Sequence, residues 1–142
     1  MSQTPDKTNV DGAEGSRSVS PSVSPSVSRW ASFGHAFRGV RVLLSQPNAR
    51  IHAAIAALVL WLGMWLGISA TEWCLVSLAV ALVLGAEALN TGIELAVDLA
   101  QPEWHATARD AKDVAAAGVL ICTLGAVSVG AWVFGPKLWA LI

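Results

Sequence analysis

The segment Val114–Phe134 (VAAAGVLICTLGAVSVGAWVF) contains no charged residue. A helix of about 20 such residues crosses the roughly 30 Å hydrocarbon core of a bilayer. Two further segments share this character. Ile51–Ala70 (IHAAIAALVLWLGMWLGISA) has no acidic or basic residue except His52, and Trp73–Ala86 is apolar apart from Ser77. A soluble helical bundle would need a charged outer face on these helices, and none of the three has one. With 54% hydrophobic and 13% charged residues over 142 positions, the expectation is a single all-α membrane domain. Its spans run over about 51–70, 73–99 and 112–134.

The polar residues are placed unevenly. Residues 1–28 hold almost no large apolar groups, and 18–28 read SVSPSVSPSVS. A Ser/Pro repeat of this kind buries too little surface to offset ordering entropy, so 1–28 is expected to be a disordered cytoplasmic tail and 29–142 the membrane domain. The tail lacks an apolar core beside basic residues, so no cleavable secretory signal is expected. Arg29, Arg38, Arg41 and Arg50 precede the first span, and Arg109 and Lys112 lie between the second and third. The first connection carries only Glu72, and the C-terminus only Lys137. The positive-inside rule therefore predicts a cytoplasmic N-terminus in a multi-pass protein. Cys74 and Cys122 are expected at different depths, as free thiols. In residues 30–45, Trp30, Phe33, Phe37, Val40 and Leu44 form one apolar stripe, with Arg38 and His35 opposite. That pattern predicts an interfacial amphipathic helix, ended near Gln46-Pro47-Asn48.

A second pattern interrupts the apolar one. In EALNTGIELAVD (87–98), Glu87, Asn90, Thr91, Glu94 and Asp98 fall within roughly one third of a helical circumference at ~100° per residue. Carboxylates in a membrane helix are costly, and a single one reads as a solvated or paired group. The whole set on one face reads as a functional site. The following segment, QPEWHATARDAKDVAAAG, supplies cations at Arg109 and Lys112. Carboxylates able to hold a divalent metal, beside a lysine able to hold phosphates, are the equipment of phosphoryl transfer. Ala115–Gly118 has no bulky side chain, and Gly63 and Gly67 make a GxxxG, so close helix approach is expected at both places. No GxxxxGK[ST] loop, dinucleotide fingerprint or HExxH occurs, and no nucleic-acid partner is expected.

EALNTGIELAVD followed by AKDVAAAGVL (111–120) resembles the prokaryotic diacylglycerol kinase family, which includes the undecaprenol kinases. The resemblance covers about residues 30–140. ARIH (49–52), TEW (71–73) and PKLW (136–139) are closer to the undecaprenol-kinase type. The resemblance implies a homotrimer of three-span subunits in the bacterial inner membrane, moving the γ-phosphoryl group of Mg-ATP onto a lipid hydroxyl. It implies Glu87 as general base, Glu94 as Mg2+ ligand, Asn90 near the transferred phosphate and Lys112 as phosphate clamp. Asp98, Asp113 and His105 follow as supporting residues of the ATP site. Many members carry a metal-binding Glu after the interfacial helix, whereas this chain reads SQPN (45–48), with no carboxylate from Arg29 to Ala70. The expected function is an ATP-dependent lipid kinase acting on diacylglycerol or undecaprenol. The alternative is a non-catalytic proteolipid or ion-relay bundle using Glu87 and Glu94.

Overall fold

The computed structural model describes residues 29–142, with side chains from residue 33 onward. The expected tail, 1–28, lies outside the described residues. Four helices follow in chain order: α1 (Arg29–Leu43), α2 (Pro47–Leu66), α3 (Ala70–Ala100) and α4 (Ala106–Trp139). The last three are each long and apolar enough to cross a membrane. The all-α expectation of three spans and an N-terminal amphipathic helix is met.

Local chemistry sets each boundary. Gln46 is extended and Pro47 takes the first turn of α2, where a missing N–H is harmless and the fixed φ suits the helix. The helix therefore starts four residues before the apolar run does, drawing Asn48, Ala49 and Arg50 into its first turn. It stops at Gly67, whose φ of +60° is the left-handed cap that glycine adopts without a Cβ clash. Ser69 opens α3 through a capping box: its hydroxyl accepts from the Glu72 N–H, and the Ser69 N–H donates to the Glu72 carboxylate. His105 caps α4, with Nδ1 accepting from the Thr107 N–H at 3.2 Å.

The helices differ from the expected spans in length, and this positions the site. α2 has 20 residues, about 30 Å at 1.5 Å per residue, which matches the hydrocarbon thickness. α3 and α4 have 31 and 34 residues, about 46 and 51 Å, so both outreach α2. The stretch expected as a long polar connection shrinks to residues 101–105, because α3 continues to Ala100 and α4 already begins at Ala106. The reason is composition: alanines at 106, 108 and 111 favour helix, and His105 satisfies an N-terminal amide. Arg109, Lys112 and Asp113 are consequently helix residues with fixed directions.

α3 packs chiefly on α4, with α2 against α3 and α1 against the second half of α3. Ion pairs join α3 and α4 at both ends. Lys137 Nζ lies 3.3 Å from Glu72 Oε2 at one end, and Lys112 Nζ donates to Asp98 Oδ1 at the other. Near the Glu72 end, Ile68, Val76, Val133 and Phe134 form the buried apolar core, with Trp73 and Val129 packed against it. Both cysteines are free.

The close approach expected at Gly63 is met within the chain, by α3. Gly63 is buried inside its own chain, where an added Cβ would meet Trp73 and Ile68 at 3.0 Å. Gly67 is the α2 cap. The pair therefore serves the α2–α3 corner. Gly63→Leu is expected to destabilise the fold by about 1–3 kcal/mol through overpacking, read as a lower thermal midpoint in detergent. At Gly118, in contrast, an added Cβ would meet nothing within 4 Å, leaving that face of α4 open.

The described side chains of α1 up to Val42 are exposed on both of its sides. Phe33, Phe37, Val40 and Leu44 are exposed along one side. Arg38 and His35, together with Val40, line a cleft of about 490 Å3 against Ala88, Thr91 and Gly92 of α3. Arg38 is exposed and also borders this cleft.

Candidate active site

The polar stripe of α3 is graded in depth. Glu87, Asn90 and Thr91 are 3%, 7% and 6% exposed within a single chain. Glu94 is half-buried and Asp98 exposed. The spans of a single chain thus cover the Glu87 end of the stripe. His52 of α2 and Val119 of α4 line the cleft over this end. The stripe also parts between two clefts: Thr91 faces the α1 side, whereas Glu87 and Asn90 face α2 and α4.

The second cleft holds about 290 Å3 and is lined by Asn48, His52, Glu87, Asn90 and Thr123 together with apolar residues of α2 and α4. Three side-chain contacts step along α3 from this cleft to the helix end. His52 Nε2 lies 3.4 Å from Glu87 Oε1. Asn90 Nδ2 donates to Glu94 Oε1 at 2.9 Å, one helical turn on. Asp98 accepts from Lys112, one further turn on and across to α4. The distance from Glu87 to Asp98 along the axis is about 16 Å. Asp113 turns instead to Arg109 on the α4 surface, Oδ2 to Nε 3.5 Å, and His105 is spent on its cap. The structure thus gathers Glu87, Asn90, Glu94, Asp98 and Lys112 in one line and leaves Asp113 and His105 beside it.

Two buried polar atoms in this cleft have no hydrogen-bond partner: Asn90 Oδ1 and Thr123 Oγ1. Ser128, on the same helix as Thr123, spends its hydroxyl on the Leu124 carbonyl at 2.9 Å. Thr123 makes no such bond. Buried acceptors and hydroxyls without partners are rare in folded proteins, and here both line the same cleft as Glu87, the one deeply buried carboxylate among the described residues.

On its other side the cleft meets an apolar groove of about 220 Å3 between α2, α3 and α4. His52 and Thr123 line both cavities. From Val83 to Val76 the groove runs away from Glu87 toward the apolar core, walled by Ile55, Val80, Val127 and Phe134.

Sequence reasoning missed Asn48, His52 and Thr123. The available signal was Asn48 and His52 themselves, four residues apart at the start of an apolar span and therefore on one face.

The profile of the prokaryotic diacylglycerol kinase family matches residues 34–134. The chain belongs to this family. An undecaprenol kinase of Bacillus subtilis is 37% identical over 108 residues, spanning 75% of this chain and 88% of that protein. A diacylglycerol kinase of Synechocystis is 35% identical over 113 residues, 78% of this chain and 65% of that one. The Escherichia coli diacylglycerol kinase is 32% identical over 95 residues, 66% and 78%. The matched region takes in every site residue named above. Membership makes the chain a membrane kinase with a nucleotide-dependent reaction, and the non-catalytic alternative gives way.

Proposed function

We propose that this protein transfers the γ-phosphoryl group of Mg-ATP to the hydroxyl of a membrane lipid, diacylglycerol or undecaprenol, giving phosphatidic acid or undecaprenyl phosphate. One observation carries the reading. Glu87 lines the polar cleft beside His52, which also borders the apolar groove, so a lipid hydroxyl reaches it from the bilayer side and a nucleotide from the charged end. The shared local sequences and the Bacillus subtilis relative favour undecaprenol.

Each residue has a task in this reaction. Glu87 takes the proton of the lipid hydroxyl as its oxygen bonds to the γ-phosphorus. The bond from that phosphorus to the β-bridging oxygen breaks, and ADP leaves with the electron pair. Asn90, fixed by Glu94, presents an unpaired carbonyl oxygen into the cleft and orients the reacting groups. Lys112 exchanges Asp98 for phosphate oxygens and stabilises the charge that develops on them. Asp98 holds the ammonium in place beforehand. Asp113 and His105 support the nucleotide from the first turns of α4.

Among the described residues no three His, Cys, Asp or Glu side chains come together to hold a metal alone. Magnesium needs no such cage, since one or two carboxylates and the substrate phosphates hold it. Glu94 fits that demand: it is half-buried, and Asn90 engages only its Oε1. When bound, Mg2+ neutralises phosphate charge.

The basic residues support a cytoplasmic N-terminus in the bacterial inner membrane. α2 starts, α3 ends and α4 starts at the end bearing Arg50, Arg109 and Lys112, while only Lys137 marks the other. Glu94, only half-covered by its own chain, and Asp98, exposed, support a homotrimer in which a neighbour completes the site. The test is the full chain in vesicles with Mg-ATP and either lipid alcohol. Phosphorylated lipid and ADP in equal amounts are expected, from a particle of three chains. Nucleotide turnover without phosphorylated lipid would overturn the kinase reading, and an active monomer the trimer.

A further inference from the structure

One wall of the polar cleft has no task in the chemistry above. α2 contributes Asn48 and His52 to it, and His52 is the only titratable group of α2 beyond Arg50. Its Nε2 lies 3.4 Å from Glu87 Oε1, with the two side chains 19% and 4% exposed. A buried carboxylate without a partner is strongly unfavourable, which explains why some donor stands there. It does not explain why the donor comes from α2 at the junction of the two cavities, with its ring lining both.

A general base must aim a lone pair at the proton it takes, and a misplaced one loses most of its effect. Glutamate has a long, rotatable side chain, and His52 is its one polar side-chain contact among the described residues. We infer that His52 is a positioning residue for Glu87: its Nε2–H faces Oε1 and holds the carboxylate, leaving Oε2 to take the proton of the lipid hydroxyl. The imidazole donates from Nε2 both as the neutral Nε2–H tautomer and as the imidazolium, so no change of protonation is involved. His52 acts through Glu87 and forms no bond to the lipid. This inference rests on Glu87 as the base, and the experiment separates the two.

Two measurements on the full chain in vesicles test it. In the wild-type protein labelled with 15N-histidine, His52 is expected to carry its proton on Nε2. Its signals follow by subtraction, using His35→Gln and His105→Gln at two exposed positions. A neutral His52 protonated on Nδ1 would turn a lone pair toward the carboxylate and overturn the inference. In the kinase assay, His52→Leu is expected to lower kcat on the order of 10–100-fold, within the range that general-base catalysis supplies. KM for Mg-ATP and for the lipid should stay within about 2-fold. His52→Gln, which keeps an N–H donor, should recover most of the loss, and His52→Leu should cost nothing more once Glu87 is already Gln. Wild-type kcat in His52→Leu, or a glutamine variant as slow as leucine, would overturn the inference. So would an equal loss in the Glu87→Gln background. If the leucine variant does not fold, the tautomer and the glutamine variant decide alone. Wild-type kcat in Glu87→Gln by itself would overturn the base reading of Glu87, and this inference with it, whatever tautomer His52 shows.

Discussion

Glu87→Gln is expected to reduce kcat by about 10²–10⁴-fold, the range a positioned general base supplies. Glutamine keeps the shape of the side chain and an acceptor oxygen toward His52 Nε2, and it removes the lone pair basic enough to take a hydroxyl proton. The site is only 3% exposed, so no bulk water can substitute as base without reorganising the cleft. Removing a buried charge should leave the fold intact, because a neutral amide carries a smaller desolvation penalty than a carboxylate. The thermal midpoint in detergent should therefore stay at or above that of the unchanged protein. Activity of the glutamine variant within about 10-fold of normal would exclude Glu87 as the base.

Glu94→Gln is expected to lower turnover on the order of 10²–10³-fold, a loss typical of one group that stabilises transition-state charge. The substitution isolates charge from geometry: a glutamine oxygen still accepts from Asn90 Nδ2, the contact seen at 2.9 Å. What it removes is the anion that fits Mg2+. The chain has no carboxylate from Arg29 to Ala70, so neither α1 nor α2 offers a replacement ligand. The apparent Mg2+ requirement should rise together with the loss in kcat. Near-normal turnover at saturating Mg-ATP, with an unchanged Mg2+ dependence, would remove Glu94 from the metal site and leave Asn90 orientation as its only role.

Much of this protein follows from local pattern. Three uncharged apolar segments determine three spans, because in hydrocarbon the backbone has no partner but itself. The 100° step per residue alone places Glu87, Asn90, Glu94 and Asp98 on one side of α3. Pro47 is readable as a helix break, whereas Gly67 and Ser69 show themselves as caps only in the folded chain. The readable features are properties of short stretches, and a sequence displays short stretches directly.

Tertiary structure decided the rest. It buries Glu87 and Asn90 but leaves Asp98 open, sends Thr91 to the α1 cleft, and brings His52 from α2 to Glu87. It aims Lys112 at Asp98 while Asp113, the next residue, turns to Arg109. It uses Gly63 to seat Trp73. Each of these depends on how far one helix is rotated and slid against another, which side chains from three helices settle jointly by packing. Periodicity along a single helix carries the face but not its neighbour, so which group stands opposite the buried carboxylate is decided only when the helices meet.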